Sequence, residues 1–157
     1  MLVFDVDVQS AQIALEDYLA AAAAQDSSES VGVDRAALAR QIHHAKVFVC
    51  SVRRVGRLLE DFSANRSIFS ADVADAIKLI WKRNRSFFER YREPRNSIEH
   101  IDGEIKGRTN WIMVNLVDDG LQVVPGKTAQ VSDDAVERVL KARNEVVAAV
   151  MSGRDTS

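Results

Sequence analysis

Two long apolar stripes constrain the fold of this chain more than any other feature. The first stripe consists of Leu38, Ile42, Ala45, Val49, Val52, Gly56, Leu59 and Phe62. The second consists of Val73, Ile77, Ile80, Asn84, Phe87, Tyr91, Pro94, Ile98, Ile101 and Ile105. Spacings of four and three residues place each stripe on one face of a helix, which predicts helices over about 35 to 63 and about 70 to 105. A short turn joins them, so we expect an antiparallel pair within a helical bundle.

Two further helices and a hairpin complete the predicted fold. The first helix is expected over about residues 8 to 24, and the last over about 133 to 151. Between the stripes and the last helix, apolar and β-branched residues flank Asp119-Gly120, which predicts a small β-hairpin from about 110 to 124. We expect residues 153–157 to be a disordered tail. The prediction is a single all-α domain of four main helices with a β-hairpin inserted before the last one.

Pro94 interrupts the second stripe. Proline lacks a backbone N–H and its ring crowds the preceding turn, so it kinks or ends a helix. The stripe nevertheless continues in phase through Pro94. We therefore expect a kink there, with the helix resuming at Arg95.

Composition narrows the functional classes. The 157 residues carry a formal net charge of −2, which argues against a strong nonspecific grip on nucleic acid. Any contact with RNA or DNA would require a local basic patch, because affinity depends on neutralising phosphates.

Two basic stretches could supply such a patch. They comprise Arg53, Arg54 and Arg57 on the second helix, and Lys82, Arg83, Arg85, Arg90 and Arg92 on the third. In an antiparallel pair some of these residues would share one surface and bind phosphates, and we take Arg53, Arg57 and Arg92 as the candidates. The alternative is that long basic side chains keep the outer face soluble.

The expected compartment is the cytoplasm. A single cysteine, Cys50, cannot form an internal disulfide. The N-terminal segment has no basic leader, and no apolar stretch is long enough to span a membrane. No cysteine–histidine set has zinc-binding spacing, since adjacent His43 and His44 diverge by about 100° on a helix. We expect no metal and no cofactor.

The string RNSIEH, from Arg95 to His100, is the motif most suggestive of chemistry. Arg92, Asn96 and His100 are four residues apart and share one helical face. Arg95 lies about 140° around the helix from His100. The two would converge on one phosphate if Pro94 bends the chain, or if a second copy faces the first across a dimer axis.

This string resembles the arginine–polar–x–x–x–histidine signature of HEPN domains, which are helical bundles. The resemblance implies a homodimer that cleaves RNA without a metal. It implies that His100 is a general acid or base on the 2′-hydroxyl or the leaving oxygen, that Arg95 holds the scissile phosphate, and that Asn96 orients one of them. Histidine and arginine suit these roles, because histidine exchanges protons near neutral pH and the guanidinium keeps its charge.

A second hypothesis competes with the ribonuclease. Glu93 and Glu99 beside the motif would repel a phosphate, and pairs such as Arg95 with Glu99 would stabilise the helix locally. The chain would then be a noncatalytic helical dimer that serves as a binding, regulatory or structural partner. Its partner could be another protein, as in a toxin–antitoxin pair.

Overall fold

The computed structural model describes residues 2–26, 35–65, 67–104, 115–117, 120–124 and 127–154. Five helices and three short strands follow one another in these ranges. They are, in chain order, α1 (Leu2–Asp26), α2 (Arg35–Ala64), α3 (Ala71–Glu89), α4 (Arg92–Glu104), β1 (Asn115–Val117), β2 (Gly120–Val124), β3 (Lys127–Gln130) and α5 (Asp133–Arg154). Within the described residues no helix is both long and apolar enough to cross a lipid bilayer.

Helices α1, α2, α3 and α5 form the bundle. α1 packs along α2, α3 packs against α2 and α5, and α5 returns to α1. The largest fully buried side chains of its core are Phe4, Phe48, Phe88, Tyr91, Leu59, Ile77 and Leu121. Because each side chain of this size stabilises the folded state by about 1.5 to 3 kcal/mol when buried, this cluster holds the helices together. The predicted helical bundle is confirmed.

Helix α1 begins six residues earlier than predicted. The prediction relied partly on Ile13 and Leu19, which are 58% and 48% exposed. Phe4 and Val8 instead enter the core, where they are 0% and 3% exposed. The helix begins at Leu2 because Phe4 has a buried site against α2 and its neighbours to fill.

The boundaries of α2 and α5 lie close to the predicted ones. α2 covers Arg35–Ala64 and α5 begins at Asp133. α5 continues through Gly153 and Arg154, which belong to the predicted disordered tail, while residues 155–157 lie outside the described part. Gly153 contacts Val73 of α3 so closely that an added Cβ would overlap a Val73 methyl group. That contact explains why the last turn stays helical.

The single long third helix of the prediction is two helices. α3 ends at Glu89, Arg90 and Tyr91 form a turn, and α4 starts at Arg92. The N–H groups of the two turn residues bond carbonyls three residues back, over 3.2 and 3.1 Å. This tighter pattern is typical of a terminating helix.

Pro94 is the third residue of α4, so the prediction of a kink with the helix resuming at Arg95 is wrong. The first N–H groups of a helix have no partner within it, so a proline there sacrifices no hydrogen bond. The first helical bond of α4 runs from the Arg95 N–H to the Tyr91 carbonyl over 3.1 Å. Pro94 is thus accommodated in the first turn of a new helix, and α3 ends before it.

A three-stranded antiparallel sheet supports α4. β1 pairs with β2, and β2 pairs with β3, with Leu121 opposite Ala129 in the centre. β1 and β2 correspond to the predicted hairpin, whose residues 110–114 and 118–119 lie outside the described part. β3 was not predicted, because its sequence KTAQ offers one apolar residue and no alternation to detect.

The sheet is tied to the turn between α3 and α4. The Tyr91 hydroxyl donates a hydrogen bond of 2.8 Å to the Gln130 carbonyl. α4 also contacts α2 and the strands β2 and β3. The break before Pro94 therefore sets α4 at a position fixed by both the bundle and the sheet.

Candidate functional site

A cleft lies between α2 and α4. It encloses about 390 Å³ and is lined by charged and polar side chains. These are Arg53, Arg54, Arg57, Glu60, Asp61, Arg92, Arg95 and Asn96. We call this set the arginine cleft. Five guanidinium groups against two carboxylates give it a net positive charge, in contrast to the negative charge of the whole chain.

The amphipathic character of α2 places its share of the cleft. Arg53, Arg57 and Asp61 follow one another at intervals of four residues and so lie on one face of the helix. The core-facing side of the same segment carries Val52 and Leu59, both 0% exposed. Burial of that apolar side turns the arginine-bearing side outward, toward α4.

Helix α4 contributes three of its first five residues. Arg95 and Asn96 stand three and four residues after Arg92, so both lie near the face that Arg92 occupies. Pro94 lies between them and is buried. Since the N-terminus of a helix carries a partial positive charge, the start of α4 adds to the attraction for anions.

Glu89 is shared by two arginines of the cleft. Its Oε1 lies 3.4 Å from Nη1 of Arg53, and its Oε2 lies 3.5 Å from Nη1 of Arg92. The Arg53 side chain is only 12% exposed, and within the described residues its buried Nη1 has no hydrogen-bond partner. One carboxylate thus compensates two guanidinium groups loosely, and a net positive charge remains beneath the cleft.

Arg54 is held from the opposite side, by α1. Its Nε lies 3.0 Å from Oδ1 of Asp7, a carboxylate whose side chain is 8% exposed. Burial raises the pKa of Asp7 above its ordinary value, and the charge of Arg54 lowers it by a smaller amount. This pair fixes Arg54 at the cleft while half of its side chain stays in solvent.

The remaining side chains of the cleft differ in how they are held. Nη1 of Arg95 donates to Oδ1 of Asn96 over 3.3 Å. By contrast, the side chains of Arg57, Glu60 and Asp61 make no hydrogen bond or ion pair with any described residue. Arg57 stands three and four residues before the two acids, and yet it does not pair with either.

Five of the six residues singled out from the sequence meet in this cleft. Arg53, Arg57 and Arg92 were the predicted binding residues, and Arg95 and Asn96 belonged to the predicted catalytic motif. The sixth, His100, lies in α4 one helical turn after Asn96, and its side chain is outside the described part of the structure.

Sequence reasoning missed the two acids of the cleft, Glu60 and Asp61. The spacing of four from Arg53 through Arg57 to Asp61 was a detectable signal. A carboxylate repels the phosphate ligand that the motif implies, so the motif did not point to these two acids.

The other basic residues lie elsewhere. Lys82 and Arg83 line a separate groove between α3 and α5, where Arg83 pairs with Glu145 at 2.9 Å. Arg90 lies over the Phe87 ring, 5.8 Å from its centroid, and lines a second pocket that also includes Arg92 and Asn96. Some of the basic residues therefore share one surface, as predicted, whereas Lys82 and Arg83 do not belong to it.

Three other side chains noted in the sequence have local roles. His43 and His44 contact each other edge to face, and Nδ1 of His44 lies 3.5 Å from an Asp17 oxygen. Among the described residues no group of three or more potential ligands is placed to hold a metal ion. Asn84, the polar residue of the second stripe, donates to the carbonyl of Ile80 in its own helix over 2.9 Å.

Compared with protein-family models, with curated proteins and with solved structures, the chain matches none of them. The chemistry of the arginine cleft is therefore the basis for assigning a function.

Proposed function

We propose that this chain is an HEPN-like, metal-independent endoribonuclease that binds the RNA backbone in the arginine cleft. One observation carries the proposal. Five residues selected for RNA binding and cleavage on sequence grounds line a single cleft, although they come from two helices far apart in the chain. The helical periodicity of α2 or of α4 alone does not require these five residues to line the same cleft.

The composition of the cleft favours a phosphate ligand. A guanidinium binds two phosphate oxygens at once and stays charged at every physiological pH. A concave surface lined by one sign of charge also focuses the electric field and raises the local concentration of the opposite ion. The chain's overall negative charge does not oppose this, because charges beyond about 10 Å are screened at ordinary ionic strength.

The proposed reaction is an internal phosphoryl transfer in RNA. The 2′-oxygen attacks the adjacent phosphorus, so a P–O2′ bond forms and the P–O5′ bond breaks. The products are a 2′,3′-cyclic phosphate and a 5′-hydroxyl. One base takes the 2′-hydroxyl proton and one acid returns a proton to the 5′-oxygen, and His100 performs one of these transfers.

Arg95 and Asn96 support this step from the cleft. Arg95 neutralises the charge that builds on the phosphate oxygens in the transition state. The hydrogen bond from Arg95 to Asn96 limits how the guanidinium turns. A second histidine for the other proton transfer would come from a second copy of the chain, which is why homodimerisation remains part of the proposal.

The test is cleavage of a short labelled RNA by purified protein. His100→Ala should lower the rate by about a hundredfold or more, because general acid–base catalysis contributes on that order, while RNA binding persists. Arg95→Gln should reduce both binding and cleavage. Arg85→Gln, which removes an exposed arginine outside the cleft, is the matched control and should behave as wild type. Chelation of divalent ions should leave the rate unchanged.

Two outcomes would contradict the ribonuclease. The first is cleavage by His100→Ala at the wild-type rate. The second is a product end other than a cyclic phosphate or its hydrolysis product.

A noncatalytic helical dimer is the second candidate, and an exposed apolar face of α1 favours it. Val3, Val6 and Ile13 share that face and are 65%, 52% and 58% exposed. Sedimentation of wild type and of Val6→Glu would test it. A dimer that dissociates in the variant, from a protein that neither binds nor cleaves RNA, would replace the first candidate with the second.

A further inference from the structure

The charges of the arginine cleft are unevenly distributed, and phosphate binding alone does not explain the two acids that line it. Three of its arginines lie at one end of the cleft, since Arg53 and Arg92 share Glu89 at the end of α3 and Arg54 pairs with Asp7 of α1. Glu60 and Asp61 lie further along α2, about two helical turns beyond Arg53. Since each carboxylate repels a phosphate, their presence lowers the affinity of the cleft for an anion unless they bind part of the ligand themselves.

The two acids are available for such a contact. Their side chains form no ion pair with any described residue, although Arg57 stands at i−3 and i−4 from them on the same helix. Glu60 is half-buried and Asp61 is exposed. A carboxylate partly removed from water accepts hydrogen bonds more strongly and discriminates between donors better.

A carboxylate distinguishes among the four RNA bases by their donors. Guanine presents two neighbouring donors on its Watson–Crick edge, N1–H and the 2-amino group, which match the two oxygens of a carboxylate. Adenine and cytosine present one amino group next to an acceptor, and uracil presents one N–H between two acceptors. A ring acceptor facing a carboxylate is repelled, so guanine is the base that this end of the cleft fits.

The dimensions agree with a single nucleotide. The step from Arg53 to Glu60 is seven residues, or roughly 10 Å along the helix axis, comparable to the distance from a nucleotide's phosphate to its base edge. The volume of about 390 Å³ lies in the range of ligand-binding pockets.

We infer that the arginine cleft binds a guanosine nucleotide, with the arginines holding its phosphate and one carboxylate of the Glu60–Asp61 pair accepting hydrogen bonds from the guanine N1–H and 2-amino group. This inference rests on the proposed function, because it assigns the base next to the phosphate that the cleft holds. It makes Glu60 and Asp61 specificity-determining residues and directs cleavage to RNA positions beside a guanosine.

The experiment is calorimetric titration of the full chain with 5′-GMP, 5′-IMP, 5′-AMP and inorganic phosphate. We expect 5′-GMP to bind about tenfold more tightly than 5′-AMP, which is the discrimination one bidentate base contact provides. 5′-IMP, which keeps N1–H but lacks the 2-amino group, should fall between them. The double variant Glu60→Gln with Asp61→Asn should lose the preference and bind inorganic phosphate at least as tightly as wild type. Glu137→Gln, an exposed acid outside the cleft, should retain it.

The outcomes separate the two proposals. Equal affinity for 5′-GMP and 5′-AMP overturns the base preference and leaves the phosphate site standing. A preference for 5′-GMP that survives in the double variant overturns the role of Glu60 and Asp61 in reading the base. Failure to bind any of the four ligands overturns both. The wild-type ligand series decides the matter even if the double variant does not fold.

Discussion

At Gly56, α2 approaches α3 closely, and replacing this glycine with alanine tests that packing. A Cβ built on Gly56 would lie 2.6 Å from Cβ of Phe88 and 2.7 Å from its Cγ. Carbon atoms pack at about 3.5 to 4.0 Å, so the helices must separate by about 1 Å. Because the Cβ of Phe88 is fixed by its backbone, no change of rotamer relieves the overlap.

Two opposing effects set the magnitude of Gly56→Ala. Alanine in a helix interior is favoured over glycine by about 1 kcal/mol. Overpacking a tight interior costs about 1 to 3 kcal/mol, and the short distance to a fixed atom places this case at the upper end. We expect the free energy of unfolding to fall by about 1 to 2 kcal/mol, which lowers Tm by about 2 to 8 °C for a chain of this length.

Urea denaturation followed by circular dichroism measures this change. Gly153→Ala is the matched control, since its new Cβ also overlaps an atom of α3 but lies in the last turn of α5, which can shift without separating two long helices. We expect a smaller loss there. Gly56 also lies between Arg53 and Arg57, so separating the helices should weaken phosphate binding as well. A Gly56→Ala protein as stable as wild type would refute the close α2–α3 contact.

Three further predictions concern the groups around the cleft. Burial raises the pKa of Asp7 above its ordinary 3.8, so ionisation of Asp7 removes stability as the pH rises through its folded-state pKa. Asp7→Asn should therefore be more stable than wild type at pH 7, with an advantage that shrinks toward pH 4 in urea titrations; a loss of stability at pH 7 would show that the pair with Arg54 outweighs burial. Tyr91→Phe removes the bond to the Gln130 carbonyl and should lower the free energy of unfolding by about 1 kcal/mol, whereas unchanged stability would mean that this link contributes nothing. Glu89→Gln removes the carboxylate shared by two arginines, so calorimetry should show several-fold tighter phosphate binding, and weaker binding would mean that Glu89 positions those arginines.

The helices of the bundle could be predicted because the spacing of apolar residues along each helix shows that one of its faces is buried. The apolar stripe from Leu38 to Phe62 requires an apolar neighbour along one face of α2, and this requirement follows from the spacing of its residues alone. The start of α1 and the strand β3 could not be predicted in this way. Phe4 is helical because the core has a site for it, and Ala129 is buried because Leu121 lies opposite it.

The residues of the candidate site were determined by the sequence, but their meeting was decided by the tertiary structure. Arginines at intervals of four on α2, and three polar residues on either side of Pro94, are properties of the chain. Their convergence depends on where α4 starts, which follows from the turn at Tyr91 and its bond to the sheet. Local periodicity fixes which side chains share a face of one helix, whereas long-range packing alone fixes which faces of two helices meet.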